Sequence, residues 1–115
     1  MSDRSRVTTH VLDAVSGTPA AGVAVSLEAR AQPDEWQPVA TGVTDADGRI
    51  AGFGPIDLAP GTYRVRFDTG AYFDAAELPV FYPEVVIAFT LSDPAEHYHV
   101  PLLLSPYAYS TYRGS

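Results

Sequence analysis

Apolar and polar residues alternate along most of this chain, and turn-forming residues interrupt the alternation at short intervals. Because successive side chains of a strand point to opposite faces, this period of two predicts strands that bury one face. The alternation is clearest in Arg6 to Asp13, Gly22 to Ala31 and Thr62 to Asp68. Short strands with frequent turns bury their apolar faces best when two sheets pack together. The sequence therefore predicts an all-β sandwich.

The full pattern predicts about seven or eight short strands and at most one short helix. The other predicted elements are the strands Val39 to Thr44, Glu84 to Ser92, Glu96 to Leu104 and Tyr107 to Arg113, and a helix of one or two turns, Asp74 to Leu78. Gln32 to Pro38 is predicted to be a polar loop that carries the only tryptophan. Asp45 to Gly48 is predicted to be a tight turn with a positive φ at the glycine.

The length of 115 residues is typical of one domain. We expect residues 7–115 to form this domain and the polar residues 1–6 to be a flexible N-terminus. This N-terminus has no apolar signal core, and no apolar stretch is long enough for a membrane span. The expected location is therefore the cytosol.

The composition excludes several kinds of chemistry. A net charge of −7 without a basic cluster argues against nucleic acid or an anionic membrane as a partner. Cysteine is absent, so neither a disulfide nor a thiolate site can form. Lysine is also absent, which excludes a Schiff-base mechanism.

The last four residues, Tyr112 to Ser115, follow an apolar and aromatic run that begins at Val100. Chain ends are usually frayed and polar. We expect this run to hold the end in place, which would fix the position of a guanidinium, a hydroxyl and a carboxylate. A two-residue turn at Ser105 and Pro106 would bring this tail back to the histidines.

Two histidines, His97 and His99, lie on the same face of a predicted strand. The assumed turn puts His99 opposite Tyr112 and His97 opposite Gly114. Pro101 cannot donate to a β-ladder, so we expect this strand to be an edge strand or to be bulged there.

The third histidine, His10, belongs to a strand that a Greek-key sandwich can place beside the C-terminal strand. Imidazoles titrate near neutral pH and are common general acids and bases. Three of them with one open position could also hold zinc. The spacing does not decide between these chemistries, and we favour metal-free catalysis because no carboxylate is evidently placed to support a zinc ligand.

Two further polar groups lie in suggestive positions. Arg49 directly follows the Asp-Gly turn, and on the sequence alone it is a solvated hairpin arginine. The sequence shows no histidine and aspartate in an order that would activate Ser115, so a nucleophile of the serine-protease type is not supported.

The chain resembles the transthyretin-like proteins and, within them, the 5-hydroxyisourate hydrolases. The resemblance covers nearly the whole length. The matching stretches are Thr9 to Asp13 followed by Gly17, Pro19, Ala20 and Gly22 to Val23, then Thr44 to Arg49, Phe81 to Pro83, His97 to Pro106 and the closing Tyr112 to Ser115. The closing tetrapeptide is the most specific of these stretches.

The resemblance implies a transthyretin-like (prealbumin-like) β-sandwich of two four-stranded sheets with one short helix. It also implies a homotetramer, a dimer of dimers whose central channel holds the active sites. A non-catalytic carrier of a small aromatic ligand in the same channel is the alternative function, and a plain adhesive module is a further one.

The reaction implied by the resemblance is the hydrolytic opening of 5-hydroxyisourate to 2-oxo-4-hydroxy-4-carboxy-5-ureidoimidazoline, in urate degradation to allantoin. No cofactor or metal is expected. By resemblance the catalytic residues are His10, Arg49, His99 and Ser115, and the substrate contacts are His97, Tyr112, Arg113 and Gly114. We expect His99, with His10, to activate water and Arg49 to bind the developing oxyanion.

Overall fold

The computed structural model describes residues 6–50, 52–55 and 57–114. These residues form short strands and one short helix. The elements are β1 (Val7–Asp13), β2 (Thr18–Pro19), β3 (Ala24–Gln32), β4 (Glu35–Val43), β5 (Gly61–Phe67), α1 (Thr69–Ala75), β6 (Val85–Leu91), β7 (Tyr98–Ser105) and β8 (Ala108–Thr111).

Two four-stranded sheets make up the sandwich, one in the order β2-β1-β7-β8 and the other in the order β4-β3-β5-β6. Among these pairings, β1 and β7 run parallel and the others run antiparallel. The prediction of an all-β sandwich with two four-stranded sheets and one short helix is confirmed. No helix in the described part of the chain combines the length and the hydropathy needed to cross a membrane.

Alternate residues of each strand face the other sheet and form the core. In β1 the inward residues Val7, Thr9 and Val11 are buried, while the outward residues between them are half-buried. Large buried side chains such as Phe67 and Leu102 contribute about 1.5–3 kcal/mol each to the free energy of unfolding. The inward pattern therefore fixes which side chains remain on the outer faces.

The predicted loop over Gln32 to Pro38 is wrong. Strand β3 continues to Gln32, and β4 begins at Glu35, so the connection between them is only two residues long. Trp36 pairs with Arg30 across the hairpin, and the guanidinium of Arg64 lies 4.3 Å from the Trp36 ring. Cross-strand pairing thus keeps this polar segment extended as a strand, although its local sequence is typical of a loop.

The helix begins five residues before the predicted Asp74, because α1 spans Thr69–Ala75. Asp68 is its N-cap, and the Asp68 carboxylate accepts a hydrogen bond of 3.1 Å from the backbone N–H of Ala71. Aspartate is a preferred N-cap residue, so this start was present in the sequence as a signal.

The register predicted for the last hairpin is also wrong. Ser105 pairs with Ala108, so the turn residues are Pro106 and Tyr107 rather than Ser105 and Pro106. Proline is favoured as the first central residue of a turn because its fixed φ suits that position. As a result His99 lies opposite Gly114, not opposite Tyr112.

The strand that carries Pro101 is not an edge strand, because β7 lies between β1 and β8. The β7–β8 ladder runs continuously only as far as the pair Leu102–Thr111. Beyond it, the side-chain hydroxyl of Thr111 donates a hydrogen bond of 2.7 Å to the backbone carbonyl of Pro101. The proline therefore lies where the β7–β8 ladder is interrupted, so its lack of an N–H is accommodated without an edge position.

Candidate active site

The parallel pairing of β1 with β7 places the N-terminal strand beside the histidine strand, as predicted for His10. Thr8 pairs with His99, and His10 pairs with Pro101. The side-chain hydroxyl of Thr8 lies 2.8 Å from Nε2 of His97 and 2.8 Å from Nδ1 of His99. Both histidines therefore share one outer face of the sheet, as the alternation predicted.

Arg49 reaches the same region because the turn that precedes it packs along β1. One carboxylate oxygen of Asp45 accepts hydrogen bonds from the backbone N–H groups of Asp47 (2.9 Å) and Arg49 (3.0 Å). Gly48 has the predicted positive φ, 75°. Its carbonyl accepts a hydrogen bond of 2.8 Å from the Val11 N–H, and His10 and Arg49 form a β-bridge.

The C-terminal tail lies directly beside His99, where Gly114 forms an antiparallel bridge with it. The backbone N–H of Gly114 donates a hydrogen bond of 2.9 Å to the carbonyl of His99. A Cβ at position 114 would overlap Cδ2 of the His99 ring and lie 3.1 Å from its Cγ. Only a glycine at position 114 lets the tail approach the imidazole this closely.

Arg113, a predicted substrate contact, makes its described contacts on the other side of β7. Its guanidinium lies 4.7 Å from the ring of Tyr98 and donates a hydrogen bond of 3.3 Å to the Glu96 carboxylate. The Tyr98 ring is buried, and its hydroxyl accepts hydrogen bonds from the backbone N–H groups of residues 92 and 93. These contacts fasten the tail just before Gly114.

The remaining tail residues contribute less to the described geometry. The Tyr112 side chain is 60% exposed, so it is open to a ligand or to another subunit. Ser115, a predicted catalytic residue, lies outside the described residues, and its role stays a prediction.

The electrostatic surroundings of His99 favour its neutral form. Burial is the largest cause that lowers the pKa of His99, followed by the positive charges of Arg49, His10 and His97. A hydrogen bond with the backbone of Thr8 acts in the opposite direction. The lowered pKa favours the uncharged imidazole of His99 at neutral pH, which is the state that a general base requires.

The zinc hypothesis receives no geometric support. Among the residues that the structure describes, no three histidine or carboxylate side chains are arranged to hold a metal ion. Nε2 of His97 and Nδ1 of His99 instead face the Thr8 hydroxyl.

No role was predicted for Thr8 from the sequence, although the alternation in β1 puts it on the same strand face as His10. Its role depends on the strand that pairs with β1, and that strand lies about ninety residues further along the chain. The alternation alone signalled that the Thr8 hydroxyl faces the same way as the His10 imidazole.

Comparison with known proteins gives a consistent result. A sequence model of the HIUase/Transthyretin family matches residues 7–114. A 5-hydroxyisourate hydrolase from Salmonella typhimurium is 52% identical over 107 residues, which are 92% of this chain and 78% of that protein. A 5-hydroxyisourate hydrolase from Mus musculus is 43% identical over 116 residues, covering 99% of this chain and 98% of that one.

Solved structures agree in fold. The 5-hydroxyisourate hydrolase of Klebsiella pneumoniae superposes with a TM-score of 0.83 at 39% identity, covering 95% of this chain and 98% of that one. Transthyretin from Sparus aurata superposes with a TM-score of 0.89 at 36% identity, covering 96% of this chain and 97% of that one. Both a hydrolase and a transthyretin thus share this backbone, so the fold alone does not select a function.

The turn that presents Arg49 should tolerate no side chain at Gly48. Gly48 and Gly17 both have a φ of 75°, but a Cβ at Gly48 would overlap the carbonyl of Val11, whereas a Cβ at Gly17 meets nothing within 4 Å. We expect Gly17→Ala to cost about 1–2 kcal/mol of unfolding free energy and Gly48→Ala to cost about 1–3 kcal/mol more. Urea denaturation of both variants measures the difference, and equal losses would contradict the close packing of this turn on β1.

Proposed function

We infer that this chain, which belongs to the HIUase/Transthyretin family, is a 5-hydroxyisourate hydrolase. The observation that carries the inference is the grouping around His99. The Thr8 hydroxyl lies within hydrogen-bond distance of both His97 and His99. Arg49 and His10 lie close enough to lower the pKa of His99, and Gly114 lies against its ring. Relatives with this activity in their names match almost the whole chain.

The proposed chemistry is the hydrolysis of a cyclic amide by general acid–base catalysis without a metal. Water attacks the ring carbonyl, and His99 removes a proton from it. The C–N bond of the ring then breaks, the carbonyl carbon becomes a carboxyl group, and the ring nitrogen takes up a proton. A positioned base of this kind contributes about 10²–10⁴-fold to a rate.

His10, which lies on β1, and Arg49, which forms a β-bridge with it, supply the other functional groups of the proposed site. Arg49 is exposed on the outer face and presents a planar donor fork, which suits the carbonyl oxygens of a flat heterocycle and the negative charge that develops on one of them. His10 lies beside Arg49 and is the second histidine available for proton transfer. We assign it to the ring nitrogen that leaves.

The tail closes the site next to His99. The backbone from Tyr112 to Gly114 is held in place beside His99, because the Arg113 guanidinium contacts the Tyr98 ring and the Glu96 carboxylate. We propose that the polar groups of Tyr112, Gly114 and Ser115 contact the substrate ring, together with His97. Arg113 would then serve the site by holding the tail in place.

A ligand carrier with the same fold is the alternative function. Transthyretin from Sparus aurata superposes as well as the hydrolase does, so the backbone does not distinguish the two proteins. A carrier has no use for an imidazole kept neutral beside two further histidines and an arginine. That grouping favours the enzyme.

We further propose that the chain assembles into a homotetramer, a dimer of dimers with active sites in a central channel. Strands β6 and β8 end their sheets in the described part of the chain, so their outer edges can pair with another copy. Tyr109, Tyr112 and Val86 are large exposed side chains on or beside these edges. A cytosolic location and a role in purine breakdown stay predictions from the sequence.

The activity itself is the first test. Freshly generated 5-hydroxyisourate should lose its ultraviolet absorbance much faster with the protein than without it, and exhaustive chelation should not change this rate. We expect His99→Ala and Arg49→Ala to lower kcat by about 100-fold or more. Arg30→Ala, at an exposed arginine of the other sheet, is the matched control and should keep full activity. Decay at the spontaneous rate would contradict the proposal.

The pH profile tests the assignment of the base. Because burial and neighbouring cations lower the pKa of His99, kcat/KM should stay high as the pH falls and decline only with a midpoint below 6.5. Arg49→Gln removes the repelling charge, so the midpoint of the residual activity should move to higher pH. A wild-type midpoint above 6.5, or a shift to lower pH in the variant, would show that another group is the base.

A further inference from the structure

One hydroxyl group joins two of the three histidines of this chain. The Thr8 oxygen lies 2.8 Å from Nε2 of His97 and 2.8 Å from Nδ1 of His99. A threonine hydroxyl has a single proton to donate, while its oxygen can accept further hydrogen bonds. When both rings are neutral, Thr8 can donate to one histidine and accept from the other, or it can accept from both.

The direction of these two bonds decides what His99 can do. If Thr8 donates to Nδ1 of His99, the ring proton sits on Nε2, and Nε2 cannot take a proton from water. If Thr8 accepts from Nδ1–H of His99, Nε2 carries a free lone pair. The Thr8 proton is then available for Nε2 of His97, which is the acceptor in the proposed chain of hydrogen bonds. Only the second arrangement gives a base at Nε2.

We propose that Thr8 is a positioning residue that, with His97 as its proton acceptor, holds His99 in the tautomer with the proton on Nδ1 and the lone pair on Nε2. This proposal rests on the function inferred above. When Nε2 takes the proton of water, the bonds from Nδ1 to Thr8 and from Thr8 to His97 keep their directions. No hydrogen bond in the chain has to reverse during the reaction, so the site is preorganised.

The surroundings of the two rings support this arrangement. Thr8 is half-buried, and its register opposite His99 comes from the continuous β1–β7 ladder. Its β-branched side chain has restricted rotation, which keeps the oxygen between the two rings. The groups that face His99 are Arg49 from the turn beside β1, His10 from β1, His97 and the Thr8 backbone. The guanidinium of Arg49 disfavours a second proton on His99 in the resting enzyme, and a proton taken up by His10 or His97 would add to this effect.

Substitutions at position 8 separate the hydroxyl from the shape of the side chain. Thr8→Val keeps the shape and removes the hydroxyl, and we expect kcat to fall about tenfold or more, since base catalysis contributes about 10²–10⁴-fold in all. KM should change less than about threefold, because the proposed role lies in the chemical step. Thr8→Ser restores the hydroxyl and should recover most of kcat.

Two controls accompany these variants. Thr62→Val makes the same change at a half-buried threonine on the outer face of the other sheet, and it should leave kcat unchanged. His97→Phe removes the acceptor and should lower kcat about as much as Thr8→Val. The double variant should then lose little more than either single variant, because both act through one chain of bonds.

Nitrogen NMR of the imidazoles gives a readout that does not depend on activity. The chain has three histidines, so protein labelled with ¹⁵N-histidine shows only six ring nitrogens, which single-histidine variants assign. Neutral His99 in the wild type should carry its proton on Nδ1, and His97 should have an unprotonated Nε2. Thr8→Val should mix the two tautomers of His99.

The outcomes are distinct. A neutral His99 that carries its proton on Nε2 in the wild type overturns the proposal, and so does full kcat in Thr8→Val. If the wild type shows the expected tautomers but does not hydrolyse 5-hydroxyisourate, the proposed function fails while the hydrogen-bond chain stands. If Thr8→Val does not fold, the wild-type spectrum and the kcat of His97→Phe still decide.

Discussion

The parallel pairing of β1 with β7 is the constraint on which the rest of the site depends. It joins residues about ninety positions apart and places Thr8 opposite His99. The buried residues Val7, Thr9 and Val11 fix this register, because a slip of one residue would turn the outer face of β1 into the core. The same burial that stabilises the sandwich therefore aligns the histidines on its outer face.

Strand β7 contributes side chains both to the core and to the candidate active site. Tyr98 faces inward, and its ring contacts the Arg113 guanidinium. His99 faces outward, and its ring packs against Gly114. The tail is thus attached on both sides of the strand within two residues. Beyond the interruption of the β7–β8 ladder at Pro101, the tail pairs again with β7 through the bridge between His99 and Gly114.

The sequence predicted the strand faces well, because alternation is a local property that burial enforces. It did not predict the register of the last hairpin. If the turn begins at Pro106 instead of Ser105, the partner of every residue in β7 shifts by two positions. Trp36 was misplaced because its strand is stabilised by cross-strand pairing with β3 and by the guanidinium of Arg64, which the local sequence does not reveal. The role of Thr8 was missed for the same reason, because a hydroxyl between two strand residues acquires its partners only when the sheet assembles. The proposed reaction came from motif resemblance, while the lowered pKa of His99 is a property of the folded surroundings.

The most direct test of the account is the activity of Gly114→Ala, because its central claim is that the tail lies against the ring of His99. A methyl group at position 114 would overlap that ring and push it away from Thr8. The account predicts that kcat falls about tenfold or more while the fold is retained. Gly61→Ala, where a Cβ meets nothing within 4 Å, should keep full activity. Wild-type kcat in folded Gly114→Ala would contradict the account.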